Sequence, residues 1–87
     1  MFVILVYDTA AERNPQVLKT CRQYLHWTQR SVFHGELSTA QYRALIHALN
    51  SAIDPTHDSI ITYTTHSPHM IETSTLGVAL GGPDDII

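Results

Sequence analysis

Phe2-Val3-Ile4-Leu5-Val6-Tyr7-Asp8 is an unbroken apolar run that ends in one carboxylate. Side chains alternate across a strand, so Val3, Leu5 and Tyr7 fall on one side and Phe2, Ile4 and Val6 on the other. A strand with one wet face alternates polar with apolar residues; this one predicts burial on both faces. Helices of the same chain can cover one face. In a chain of 87 residues, the other face calls for a second copy.

The short length points the same way. A domain of this size buries only roughly 60% of its unfolded surface and is marginal alone. Disulfides or oligomers usually make up the difference, and the single Cys21 excludes an internal disulfide. With 44% apolar and 15% charged residues, the composition is that of a globular domain. The longest apolar run, Phe2 to Tyr7, is far short of the roughly 20 residues that span a bilayer. No Lys or Arg precedes it and Asp8 follows at once, so it does not read as a signal peptide. A cytoplasmic location, with no membrane partner, is expected and suits a lone reduced thiol.

Outward from the first run, Asn14 reads as an N-cap with Pro15 at the first helical position. Val17, Leu18, Cys21, Tyr24 and Leu25 then form an apolar stripe, with Lys19, Arg22, Gln23 and His26 outward. Trp27 to Leu37 reads as a hairpin or a kinked strand. Ser38 and Gln41 form a capping box, with Leu37 stapling onto Tyr42. The second helix carries Tyr42, Leu45, Ile46, Leu49 and Ile53 inward and ends at Asp54-Pro55. Ser59 to Thr65 is a β-branched strand, and Met70 to Leu76 a weaker further strand. Residues 1–80 are expected to form one domain and residues 81–87 a flexible tail.

This order predicts an α+β fold: a ferredoxin-like βαββαβ sandwich with an additional C-terminal strand. Two helices lie on one face of an antiparallel sheet. The open face needs a cover, and a two-fold partner supplies one.

Asp8 is the first candidate for chemistry. A strand-ending aspartate commonly starts a loop, and a functional role needs more than one carboxylate. Mg²⁺ takes one or two protein carboxylates and fills its octahedron with water and phosphate oxygens. A symmetric dimer turns one Asp8 into two. Arg13, in the following loop, can hold a phosphate or stand exposed, and Lys19 and Arg22 can extend that contact or form a solvated helix face. His66-x-x-His69 lacks a third and fourth zinc ligand, and Pro68 breaks its spacing. Cys21 on the apolar stripe reads as a core thiol. Trp27 and Tyr24 can stack on bases, with core packing the default. No P-loop, nucleophile elbow or dinucleotide fingerprint occurs.

The net charge of −3 gives no support to unaided nucleic-acid binding, which rests on Lys and Arg. The basic residues are Arg13, Lys19, Arg22, Arg30 and Arg43. Four of these five fall within residues 13–30, so one region can still be locally positive.

In sequence order come the strand ending in Tyr7-Asp8, then Arg13, and the helix Val17-Leu18-Lys19-Thr20-Cys21-Arg22-Gln23-Tyr24-Leu25. Gln29, Ser31-Val32-Phe33, Gly35-Glu36-Leu37 and Asp58-Ser59-Ile60-Ile61-Thr62-Tyr63 follow. The ordered set resembles CRISPR-associated protein two over nearly the whole chain. The resemblance implies a ferredoxin-like homodimer with sheets face to face, whose last strand can pair with the partner subunit. It implies a role in spacer acquisition, in which the dimer bridges two dimers of the CRISPR integrase and holds the double-stranded DNA fragment. It also implies a metal-dependent endonuclease on DNA or single-stranded RNA, with Asp8 as Mg²⁺ ligand. Arg13 and Arg30 would then stabilise charge at the phosphate, and Arg13, Lys19 and Arg22 would contact nucleic acid. The chain is less basic than is usual in this family, so the integrase is expected to supply much of the positive surface. A scaffold within the CRISPR complex is the leading expectation. A ribonuclease toxin of the virulence-associated type and a metabolite-binding regulatory dimer are the rivals.

Overall fold

The computed structural model describes residues 1–81. Strand β1 (Phe2–Asp8) is followed by helix α1 (Asn14–Arg22), the hairpin β2 (His26–Gln29) and β3 (Val32–Glu36), helix α2 (Thr39–Ala52) and strand β4 (Ser59–Thr65). The strands form one antiparallel sheet in the order β2-β3-β1-β4. This is the ferredoxin-like arrangement expected from the sequence. The first strand is central, held by β3 on one side and β4 on the other.

The helices cover one face. Val3, Leu5 and Tyr7 of β1 and Phe33 of β3 pack there against Val17 and Cys21 of α1 and Leu45 and Leu49 of α2. Burial pushes the Cys21 thiol up to about 12, so it remains a neutral core group. Thr20 is also buried in α1, where its hydroxyl donates to the Gln16 carbonyl at 2.9 Å. Helix α2 starts as its sequence predicts: the Ser38 Oγ accepts from the Gln41 N–H and the Gln41 side chain accepts from the Ser38 N–H.

Three local expectations change. Helix α1 is preceded by Arg13 as N-cap rather than Asn14, and Arg13 offers no side-chain cap. The Asn14 side chain instead takes the Thr9 hydroxyl. The break in the hairpin falls at Arg30-Ser31, where Arg30 has a positive φ of 44°. That left-handed turn is carried without glycine, which is why the sequence did not mark it. Finally, Met70 to Leu76 holds no strand. A short 3₁₀ turn, Pro68–Met70, follows β4, and residues 71–76 are irregular. Leu76, Val78 and Leu80 lie exposed, outside any strand. Of the tail expected over 81–87, all but Gly81 lies outside the described residues.

Candidate functional site

The second face of the sheet is apolar and lacks a helix. Phe2, Ile4 and Val6 point to it from β1, opposite the Val3, Leu5 and Tyr7 row. The registers Val6↔Val32, Val6↔Ile61 and Ile4↔Tyr63 bring Val32, Ile61 and Tyr63 onto the same face. Ile61 is 49% exposed and Tyr63 58%. His34, opposite Ile4, is buried among Phe2 and His26, and its Nδ1 meets the Thr28 hydroxyl.

Asp8 continues this row. By strand alternation it shares the open-face side with Phe2, Ile4 and Val6. It is exposed at the end of β1, opposite Ser59. Its carboxylate has no hydrogen-bond or ion-pair partner among the described residues. The hairpin tip lies at the same end of the sheet, because the Tyr7 N–H donates to the Ser31 carbonyl at 3.0 Å. Arg30, next to Ser31 and exposed, therefore stands on the Asp8 side of the domain. The Trp27 indole N–H donates to the Arg30 carbonyl at 2.9 Å and steadies the turn. Trp27 packs partly on the core, as its default reading required.

Arg13 also belongs to this end, but one edge of its guanidinium is taken. Nε and Nη2 donate to the two Asp58 oxygens at 2.5 and 3.0 Å, and Nη1 lies 3.5 Å from the Glu12 carboxylate. Sequence reasoning offered Arg13 to a phosphate and did not find Asp58. Lys19 and Arg22 lie further off, in the last turn of α1. The helix runs away from the Asp8 end at 1.5 Å per residue, so Arg22 is roughly 12 Å from Asn14 along the axis. Asp8, Arg13 and Arg30 are thus brought to one end, and Lys19 and Arg22 are not part of that group.

Asp58 is held strongly ionised. The Arg13 hydrogen bonds lower its pKa most, and the Asp54 and Ala10 N–H groups add to the effect against the cost of burial. Asp54 is also lowered, chiefly by the Thr56 hydroxyl, so the 54–58 turn carries two ionised carboxylates around one guanidinium.

Among the described residues, no group of three or more His, Cys, Asp or Glu side chains stands together as a metal site. One chain offers the exposed Asp8 carboxylate alone. This donor set does not hold an ion by itself, but it fits Mg²⁺ when a second carboxylate comes from another copy. Among the described residues, no helix is long and apolar enough to cross a membrane.

The chain is a ferredoxin-like domain with a partly covered apolar sheet face and an aspartate ending that face's central strand. Within it, residues 1–70 match the model of the family described as CRISPR associated protein Cas2. The chain is 63% identical to the CRISPR-associated endoribonuclease Cas2 of Frankia alni over 87 residues, the full length of both. A crystal structure of Cas2 superposes with a TM-score of 0.86 at 36% identity, covering 100% of this chain and 98% of the other. The Streptococcus pyogenes Cas2 structure at pH 6.5 gives 0.77 at 31% identity, covering 88% of this chain and all of its own. The chain belongs to the Cas2 family.

Proposed function

We propose that this chain is a small dimeric subunit of the CRISPR spacer-acquisition machinery in the cytoplasm, and that its dimer carries a Mg²⁺-dependent endonuclease site. The observation that carries this reading is the position of Asp8. It ends the same side-chain row, Phe2, Ile4 and Val6, that runs along the helix-free apolar face. Two copies packed through that face bring both Asp8 residues toward one two-fold axis. The name endoribonuclease borne by the Frankia alni relative supports the phosphodiester chemistry.

In this dimer the paired Asp8 carboxylates hold the ion, and Arg30 at the hairpin tip offers a cation to the substrate phosphate. Bound Mg²⁺ supplies charge neutralisation and a water of lowered pKa. The Tyr7 N–H bond to Ser31 keeps the hairpin tip, and with it Arg30, against the end of β1. The substrate is single-stranded RNA or double-stranded DNA.

A second role stands alongside the first, and a net charge of −3 per copy means that it needs a partner's positive surface. The dimer bridges two integrase dimers and holds the incoming duplex in a groove whose positive surface the integrase largely supplies. Among the described residues no group of three or more His, Cys, Asp or Glu gathers at Asp8, which favours scaffolding over fast catalysis.

Asp8→Asn is the test. It is expected to abolish Mg²⁺-dependent cleavage of RNA and of duplex DNA while sedimentation still shows a dimer. Cleavage at full rate would contradict the metal role of Asp8. Spacer acquisition that persists in cells carrying the variant would separate the scaffold from the nuclease.

A further inference from the structure

Asp58 is a buried carboxylate without an assigned task. Its side chain has no solvent exposure. It accepts from the Ala10 N–H at 2.9 Å, the Asp54 N–H at 2.9 Å, and Arg13 Nε and Nη2 at 2.5 and 3.0 Å. Burying a charge is costly unless it is fully paired, and these four donors pair it. The donors come from two loops. Residues 9–13 lead away from Asp8, and residues 53–58 lead into β4. Asp8 is paired in register with Ser59, so Asp58 precedes the residue opposite Asp8. One carboxylate thus ties the backbone just after Asp8 to the start of the neighbouring strand.

The two-pronged contact also takes the side edge of Arg13, one of the two edges by which a guanidinium grips an oxyanion. The Nε–Nη2 side of the fork is closed on Asp58, and Nη1 with the second Nη2 N–H remains, Nη1 lying 3.5 Å from Glu12. We propose that Asp58 and Arg13 are a positioning pair for the Asp8 metal site, with the side edge of Arg13 committed to Asp58 rather than to a phosphate. The pair fixes the chain on the exit side of Asp8, so that the carboxylate meets the ion without first ordering a loop. This inference rests on the metal-site reading of Asp8.

The geometry sets what each substitution does. Asp58→Asn leaves one acceptor oxygen and turns an NH₂ donor toward the guanidinium donors. Arg13→Lys keeps the charge but cannot span both oxygens. Removal of such outer-shell support typically costs about 10- to 100-fold in metal affinity.

The experiment is a Mn²⁺ titration of the full-length chain, read by electron paramagnetic resonance, on wild type, Asp58→Asn, Arg13→Lys and Asp8→Asn. It is done at a temperature where circular dichroism shows each variant folded. Steady-state cleavage is measured beside it. Both Asp58→Asn and Arg13→Lys are expected to weaken Mn²⁺ binding by about 10-fold or more. They lower kcat and leave KM for the nucleic acid within about twofold. Added Mg²⁺ restores part of the rate. A purely structural role would lower the melting temperature and leave the Mn²⁺ affinity of the folded chain unchanged.

If wild type and both variants bind Mn²⁺ equally, the positioning role is overturned and the Asp8 site stands. If Arg13→Lys alone retains wild-type metal affinity and raises KM, Arg13 is a phosphate ligand and the proposal fails. If wild type binds no Mn²⁺, or Asp8→Asn binds it as well as wild type, the Asp8 reading falls and this inference with it. Should Asp58→Asn not fold, Arg13→Lys decides, because it keeps the buried carboxylate and a cation.

Discussion

The two faces of the sheet are nearly equal in hydrophobicity and opposite in their surroundings. On the helix side, Val3, Leu5 and Phe33 have no exposure, sealed by α1 and α2. On the other side, Phe2 and His34 at one end are buried, but Ile61 and Tyr63 are about half exposed, and Ile4 and Val6 only partly covered. A strand that is apolar on both sides therefore states that two covers are needed. It does not state that both come from one chain. The missing cover is where assembly is expected, and the Asp8 carboxylate sits at its rim.

The contrast can be broken by substitution on each face. Phe33→Ala, on the sealed side, is expected to cost about 3–5 kcal/mol. In a domain this small that shifts much of the chain to the unfolded state, which urea denaturation followed by circular dichroism will read. Charging the open face with Tyr63→Lys acts on assembly. A central aromatic contact is worth about 2 kcal/mol of association, so sedimentation should show the dimer falling toward monomers. The stability of the chain itself is expected to move by no more than about 0.5 kcal/mol, since the position is exposed. A dimer unaffected by that change would mean that the open face is not the interface.

Gly35 gives a finer contrast within the sealed side. A Cβ there would stand 3.1 Å from Leu25 Cδ2, the tip of a side chain that can shift. Gly35→Ala is therefore expected to cost about 1 kcal/mol, well below Phe33→Ala.

The gentlest probe is acid. Asp58 has a lowered pKa in the folded chain, so the stability it contributes is fully present above the ordinary carboxylate pKa of about 3.9. It is lost as pH falls through the lowered folded value. Between pH 7 and 5 this contribution should be flat, and only below about pH 4 should wild type lose stability that Asp58→Asn never had. Melting curves across pH measure this directly.

Much of the fold was legible because it rests on local chemistry. The span of β4, the capping box at Ser38 and the apolar stripe of α2 follow from residue type and spacing. The hairpin tip was not legible, because Arg30 adopts a positive φ that residue type does not announce. Nor was the irregular path of residues 71–76, since β-propensity depends on packing against neighbours more than on residue type. At the site, Asp8 stood out as the carboxylate ending a buried strand. The Arg13–Asp58 contact could not be read, because Asp58 lies 45 residues away and meets Arg13 only through the β1–β4 register. An Asp directly before a β-branched strand is a weak signal by itself.

The most direct test is the number of divalent ions bound per dimer. Isothermal titration with Mn²⁺, paired with the sedimentation mass of the same sample, should give one ion for every two chains and none after Asp8→Asn. One ion per chain, or full binding by a monomer such as Tyr63→Lys, would contradict a site shared between two copies.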